Sequence, residues 1–129
     1  FMNKTRIFVS FSPDDKQYGE MMTDQLRNPF SSFEIVACSR DGQGTVNWET
    51  ETRENIRKAG VFLLIVGKNT AHAANVAWEI KAAREAGIPV LGVLVGKDCL
   101  DCAPEALGDA PVIIWTWDGI YNMIRSMMN

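Results

Sequence analysis

Short apolar runs alternate with amphipathic stretches along the chain. Five runs rich in β-branched and aromatic residues are predicted to be strands: residues 5–11, 33–38, 61–66, 88–95 and 110–115. The third and fourth runs contain no polar side chain, which is typical of strands buried on both faces of a parallel sheet. The pattern therefore predicts a parallel sheet with the third run as a central strand.

Between these runs, apolar residues recur every three or four positions, which is the period of an amphipathic helix. The helical stretches are residues 18–26, 48–59, 75–87 and 120–128. Asp14 and Gln17 have the spacing of a capping box before the first helix, and Asn75 and Gly87 are the expected N-cap and C′ residues of the third. Residues 96–109 are predicted to be a loop with one helical turn.

This alternation is typical of an α/β fold, because right-handed crossovers place helices on both faces of a parallel sheet. We expect a flavodoxin-like three-layer sandwich with five strands in the order 2-1-3-4-5. Ligands of such folds bind at the carboxyl ends of the first and third strands, where the strand order switches. Residues 2–129 are expected to form one domain, since 129 residues with 47% hydrophobic content suffice for a single core.

Charge and cysteine content exclude several classes of function. A formal net charge of -3, with Lys and Arg scattered singly, argues against nucleic acid as a partner. No apolar run approaches the ~18 residues of a membrane span, and the amino terminus does not resemble a secretion signal, so we expect no membrane association and a cytoplasmic location. Three cysteines are an odd count that fits a reducing compartment. Cys99 and Cys102 lack a second cysteine pair and lie far from the single histidine, His72, so we expect no metal site.

The third helical stretch carries the most informative acidic residue, Glu79. On a helical wheel of roughly 100° per residue, Glu79 falls beside Val76 and Ala83 at the border of the apolar face, whereas Trp78 points the other way. A carboxylate at such a border is expected to be half desolvated and still within reach of a ligand. The alternative is a surface glutamate that pairs with Lys81 or another basic neighbour on the same helix.

The residues at the strand ends separate functions that share this topology. A phosphoryl-accepting receiver needs an aspartate after the third strand, where residues 66–68 are Val-Gly-Lys. A flavodoxin needs a phosphate-binding loop after the first strand, where residues 12–15 (Ser-Pro-Asp-Asp) would repel phosphate. A dinucleotide fingerprint needs glycines at that same turn, and the Gly-Gln-Gly of residues 42–44 lies in another loop.

The motifs that remain resemble those of TIR domains. Residues 7–15 (Ile-Phe-Val-Ser-Phe-Ser-Pro-Asp-Asp) are similar to the opening motif of that family, and the loop around Asp41 resembles its BB loop. Residues 55–66 resemble its second helix and third strand, and residues 75–80 match the segment that holds the family's catalytic glutamate, at Glu79. The chain is thus similar to bacterial TIR proteins, including the signal-producing members of Thoeris anti-phage defence.

The resemblance implies an enzyme that cleaves NAD at the bond between nicotinamide and ribose, with NAD as its substrate and without a separate cofactor. Glu79 would stabilise the positive charge that develops on the ribose. The implied substrate-binding residues are Ser10, Phe11, Ser12, Asp41, Trp48 and Asn75. The Trp48 ring could stack on nicotinamide or pack into the core. Many TIR enzymes carry a tryptophan four residues before the glutamate, whereas this chain has Asn75 there.

Two other functions are compatible with the same sequence. One is a non-catalytic adaptor that associates with other TIR domains through residues 39–47 and adjacent helix faces. The other is a nucleotide-binding sensor that has the cleft but no chemistry. For the enzyme, the resemblance implies self-assembly with other TIR domains and a downstream effector that reads the nucleotide product. His72, in the loop before the third helix, is expected to be solvated.

Overall fold

The computed structural model describes residues 4–39 and 46–128, which form a five-stranded parallel sheet with helices on both faces. The strand order β2-β1-β3-β4-β5 and the α/β fold confirm the prediction. The strands are β1 (Thr5–Ser10), β2 (Phe33–Cys38), β3 (Val61–Val66), β4 (Val90–Leu94) and β5 (Val112–Ile114). The helices are α1 (Lys16–Leu26), α2 (Trp48–Arg57), α3 (Ala74–Glu85) and α4 (Trp117–Met128).

Two apolar cores lie on the two faces of the sheet. Helices α2 and α3 cover one face through residues such as Ile56 and Ile80, and α1 and α4 cover the other through Met22 and Ile120. The side chains of β3 alternate between the two cores and are buried throughout, as expected for a central strand of a parallel sheet. The face under α2 and α3 is the one that bears the candidate site.

The pairing of β1 with β2 contains a bulge that matters for this site. Ile7 pairs with Ile35 but Phe8 pairs with Ala37, so Val36 is an extra residue in β2. One added residue reverses the face to which every following side chain of β2 points. The residue that follows β2 is therefore brought opposite Ser10 at the end of β1, on the face covered by α3.

Both predicted N-terminal caps, Asp14 and Asn75, are wrong, and the predicted C′ residue, Gly87, is confirmed. A short 3₁₀ turn, Pro13–Asp15, precedes α1, and the Ser12 hydroxyl rather than Asp14 accepts the capping hydrogen bond. Helix α3 begins at Ala74, so Asn75 lies inside it and its side chain does not cap the helix. Gly87 has φ +74° and donates its N–H to the Arg84 carbonyl, in the C′ position of a Schellman motif.

The carboxyl-terminal third of the chain has shorter strands than predicted. The fourth and fifth strands lose residues at both ends, and Pro89 precedes the observed β4, consistent with its missing N–H. The loop between them contains two 3₁₀ turns, Lys97–Cys99 and Glu105–Leu107, instead of one helical turn. Among the helices described, none combines the length and apolar character needed to cross a bilayer.

Candidate active site

Glu79 lies inside the molecule, at the carboxyl ends of β1 and β2. Its side chain projects from the second turn of α3 toward the sheet, and only 1% of the residue is exposed. Glu79 is therefore more deeply buried than the predicted half-desolvated position at the border of the apolar face. The helical wheel considers only the helix, whereas the ends of β1 and β2 close over the carboxyl group from the other side.

Three side chains donate hydrogen bonds to one oxygen of this carboxyl group. The hydroxyls of Ser39 and Ser10 lie 2.6 and 2.7 Å from Oε1 of Glu79, and the Asn75 amide nitrogen lies 3.5 Å from the same atom. Every side-chain hydrogen bond that residues 4–39 and 46–128 donate to the Glu79 carboxyl group ends on Oε1. Within this part of the chain, Oε2 is left for another partner.

The donors are themselves held by the backbone. The amide of Phe11 donates to the Ser39 hydroxyl over 2.9 Å, and the amide of Ser39 donates to the Val9 carbonyl over 3.0 Å. Asn75 also donates to the Phe11 carbonyl over 3.1 Å. Because these bonds join β1, β2 and α3, the position of the Glu79 carboxyl group depends on all three elements.

The surroundings raise the pKa of Glu79 to about 7. Burial is the main cause, because it disfavours the charged form. The hydrogen bonds from Ser39, Ser10 and Asn75 oppose this shift by stabilising the carboxylate. Near neutral pH the group is therefore divided between its acid and its ionised form.

A cleft of about 560 Å³ opens beside this network, between the loops that follow β1 and β3. This is the switch point at which the strand order predicts a ligand site. Its lining residues include Ser12, Asp14, Asn69, His72 and Asn75. Glu79 does not line the cleft, but Asn75 does, and the Asn75 amide donates to the Glu79 carboxyl group. His72 is exposed, as expected, and lies in the wall of the cleft.

Five of the six predicted substrate-binding residues fall into three groups. Ser10, Ser12 and Asn75 lie at the network or the cleft. Phe11 contributes only its backbone, because its ring is buried in the core on the α1 side, against Gly19. Asp41 lies outside the described residues.

Trp48 lies at the start of α2 and contacts the face of α3 next to Glu79. Its ring centroid is 5.1 Å from that of Trp78, at an interplanar angle of 55°. Arg53 lies over the other tryptophan, 5.1 Å from the Trp78 centroid. Trp78 packs against the core under α2 and α3 and does not point away from it as predicted.

A second buried carboxylate, Asp15, joins the two loops that border the cleft. Thr70 donates its hydroxyl to Asp15 over 2.9 Å and accepts the amide of Gly67 over 2.7 Å. Burial is the main cause that raises the pKa of Asp15, and the hydrogen bond from Thr70 opposes it. The sequence prediction did not include this contact, which ties the loop after β1 to the loop after β3.

The cysteines form no metal site with other side chains of the described segments. No group of three His, Cys, Asp or Glu side chains with suitable geometry occurs there. Cys99 is buried, which raises the pKa of its thiol to about 11, and Cys102 is partly exposed with its sulfur also unbridged. Neither residue contacts the Glu79 network.

A comparison with protein families identifies the fold more closely. The family model described as "Thoeris protein ThsB, TIR-like domain" matches residues 8–98, well over half of the chain. The chain belongs to this TIR-like family. The matched region of the TIR-like domain contains the whole Glu79 network, whereas β5 and α4 lie beyond it. No curated protein sequence matches the chain.

Ser39 is the member of the network that sequence reasoning missed. The sequence places Ser39 only in the segment of residues 39–47, because a serine next to a glycine-rich segment carries no periodic signal. The available signal was indirect, since a buried carboxyl group at Glu79 needs hydrogen-bond donors. In this TIR-like domain two of those donors, Ser10 and Ser39, come from strand ends that are distant in sequence from Glu79.

Proposed function

We propose that this TIR-like domain cleaves NAD at the bond between nicotinamide and ribose. The observation that carries the proposal is the Glu79 carboxyl group, buried beside a cleft at the strand switch point and held through one oxygen by Ser10, Ser39 and Asn75. The proposed product is a nucleotide signal of bacterial immunity, since the matching family takes its name from a Thoeris protein.

The reaction needs little more than one fixed negative charge. When the C1′–N bond breaks, its electron pair goes to the pyridinium nitrogen, so nicotinamide leaves as a neutral molecule and the ribose becomes an oxocarbenium ion. Water or a hydroxyl group then attacks C1′ and loses its proton. A carboxylate in a poorly hydrated site stabilises the ribosyl cation far more than one in water does.

We assign this role to Oε2 of Glu79. The described donors occupy Oε1 and leave Oε2 for the substrate. Asn75 lines the cleft and donates to the carboxyl group, so we expect its amide to contact the ribose when NAD binds. The positively charged nicotinamide ring of NAD would also lower the pKa of Glu79 as it approaches, which favours the ionised form that the reaction needs.

The test is the release of nicotinamide from NAD by the wild-type protein and by Glu79→Gln. Glutamine keeps the size of the side chain and an acceptor for the Ser10 and Ser39 hydroxyls, but it removes the charge. We expect turnover to fall at least about 100-fold, in the range seen when a preorganised charge-stabilising group is lost. Mass spectrometry of the second product would distinguish hydrolysis from cyclisation or base exchange.

The matched control is Glu54→Gln, which removes an exposed carboxylate from α2. The assay is repeated at high protein concentration and with a crowding agent, because we propose that self-assembly with other TIR domains supports activity. Equal traces of nicotinamide from the wild type and Glu79→Gln under all conditions would overturn the proposal.

The second candidate function is an adaptor that acts by assembly alone. Val46, at the end of the segment predicted to mediate association (residues 39–47), is 98% exposed, so its side chain is accessible to a partner. For an adaptor, Val46→Glu would abolish concentration-dependent self-association measured by light scattering. Glu79→Gln would change neither this association nor the amount of NAD consumed.

A further inference from the structure

A chain of polar contacts connects the backbone of β1 to the Glu79 carboxyl group through a single hydroxyl. The Phe11 amide donates to Ser39 Oγ over 2.9 Å, and Ser39 Oγ donates to Glu79 Oε1 over 2.6 Å. Ser39 is 3% exposed and Glu79 1% exposed, so water competes little for either bond. A hydroxyl that accepts from an amide is a stronger donor, because successive hydrogen bonds polarise one another.

The bulge in β2 is what makes this contact geometrically available. If the register of Ile7 with Ile35 continued without the bulge, Cys38 rather than Ser39 would lie opposite Ser10. The backbone bond from Ser39 N to Val9 O then fixes the hydroxyl at this position. The pairing of β1 with β2 therefore determines the contact between Ser39 and Glu79.

We infer that Ser39 is a positioning residue for the proposed reaction: its hydroxyl orients the Glu79 carboxyl group and sets the pH range in which that group is ionised. The inference rests on the proposed function for its catalytic meaning, but the effect on Glu79 ionisation stands independently. Among the described residues, burial and the hydrogen bonds from Ser39, Ser10 and Asn75 account for the shift in the pKa of Glu79, and none of these three side chains is charged.

The neighbouring elements support this assignment. Strand β1 contributes Ser10, the residue after β2 contributes Ser39, and α3 contributes Asn75. On the α2 side, Arg53 lies over Trp78 and forms an ion pair of 3.7 Å with the exposed Glu85. Of the three donors to Glu79, Ser39 makes the shortest bond and opposes the burial effect most strongly.

The test measures Glu79 ionisation in wild type, Ser39→Ala and Ser39→Thr. Selective ¹³C labelling of glutamate side chains, with the Glu79 signal assigned by Glu79→Gln, gives the titration midpoint directly. The pH dependence of kcat/KM for nicotinamide release gives the same midpoint in turnover. We expect Ser39→Ala to shift both midpoints upward by half a pH unit or more, and Ser39→Thr, which keeps the hydroxyl, to restore them.

The matched control is Ser31→Ala at the opposite end of β2. The Ser31 hydroxyl also accepts a backbone amide, that of Phe33 over 3.0 Å, but it does not contact Glu79. This variant should leave both midpoints unchanged, so a loss of stability alone would not imitate the Ser39 effect.

The possible failures are distinguishable. An unchanged ¹³C midpoint in folded Ser39→Ala would overturn the inference, whatever happens to turnover. If the wild type releases no nicotinamide, the proposed function fails, and the ¹³C titration still decides whether Ser39 sets the ionisation of Glu79.

Discussion

Glu79 combines burial with an ionisable group, and this combination has a cost in stability. The pKa of its side chain rises from an unfolded-state value near 4.5 to about 7 in the folded protein. A shift in this direction means that the folded state binds the proton more tightly than the unfolded state does. The contribution of this shift to the free energy of unfolding is fully present below pH 4.5. About 3 kcal/mol of it is lost as the pH rises through about 7.

We therefore predict that Glu79→Gln stabilises the protein at alkaline pH. Glutamine stays neutral, so the free energy of unfolding of the variant should gain on the wild type by about 2 kcal/mol between pH 5 and pH 8. Urea denaturation at the two pH values measures this difference. Glu54→Gln is the control, because its side chain is exposed. A difference between Glu79→Gln and wild type that does not grow with pH would show that Glu79 is not held in its acid form by burial.

At the level of secondary-structure elements, one glycine precedes α3 and another ends it, and a side chain is disfavoured at each for a different reason. Gly87 ends the helix with φ +74°, and a Cβ added there would have no neighbour within 4 Å. The cost of Gly87→Ala should therefore come from the backbone alone, at about 1 kcal/mol of unfolding free energy. Gly87→Asn should cost less, because asparagine tolerates this conformation. Equal losses for the two variants in urea denaturation would contradict this explanation.

Gly67, before α3, is constrained by space rather than by its backbone angle. A Cβ added there would lie 2.4 Å from an Asp15 carboxylate oxygen. We predict that Gly67→Ala destabilises the protein by roughly 1–3 kcal/mol, as overpacking does in well-packed sites.

The coupling between these two loops can be measured in a double-mutant cycle. Combining Gly67→Ala with Asp15→Ala removes the carboxylate that the new methyl group would meet, so the loss should be smaller than the sum of the single losses. Additive losses in urea denaturation would show that the two loops are not coupled at this contact.

The elements also show why parts of the site could not be predicted from the sequence. The strand order and most element positions follow from periodicity, because apolar patterning is a local signal. Ser39 depends on the bulge at Val36, and a bulge leaves no trace in such a pattern. The predicted caps Asp14 and Asn75 are wrong because neither residue lies at a helix start: Asp14 is inside the 3₁₀ turn before α1, and Asn75 is inside α3 and donates its amide to the Phe11 carbonyl.

At the scale of the whole molecule, the sheet brings together residues that are far apart in sequence. Ser10 lies 69 positions and Ser39 lies 40 positions before Glu79, yet both donate hydrogen bonds to it at one end of the sheet. The sequence predicted Glu79 and Ser10 as site residues and predicted where the switch point lies. It did not predict the depth of Glu79, because burial at the strand ends is a property of the packed fold.

We propose that NAD cleavage depends on the buried Glu79 carboxylate, and the rate of nicotinamide release between pH 6 and pH 8 measures this dependence. We expect the wild-type kcat/KM to rise with pH as Glu79 ionises, with a midpoint near 7, and Glu79→Gln to lie at least about 100-fold lower throughout. Equal release by the two proteins, or a wild-type rate that falls as Glu79 ionises, would contradict it.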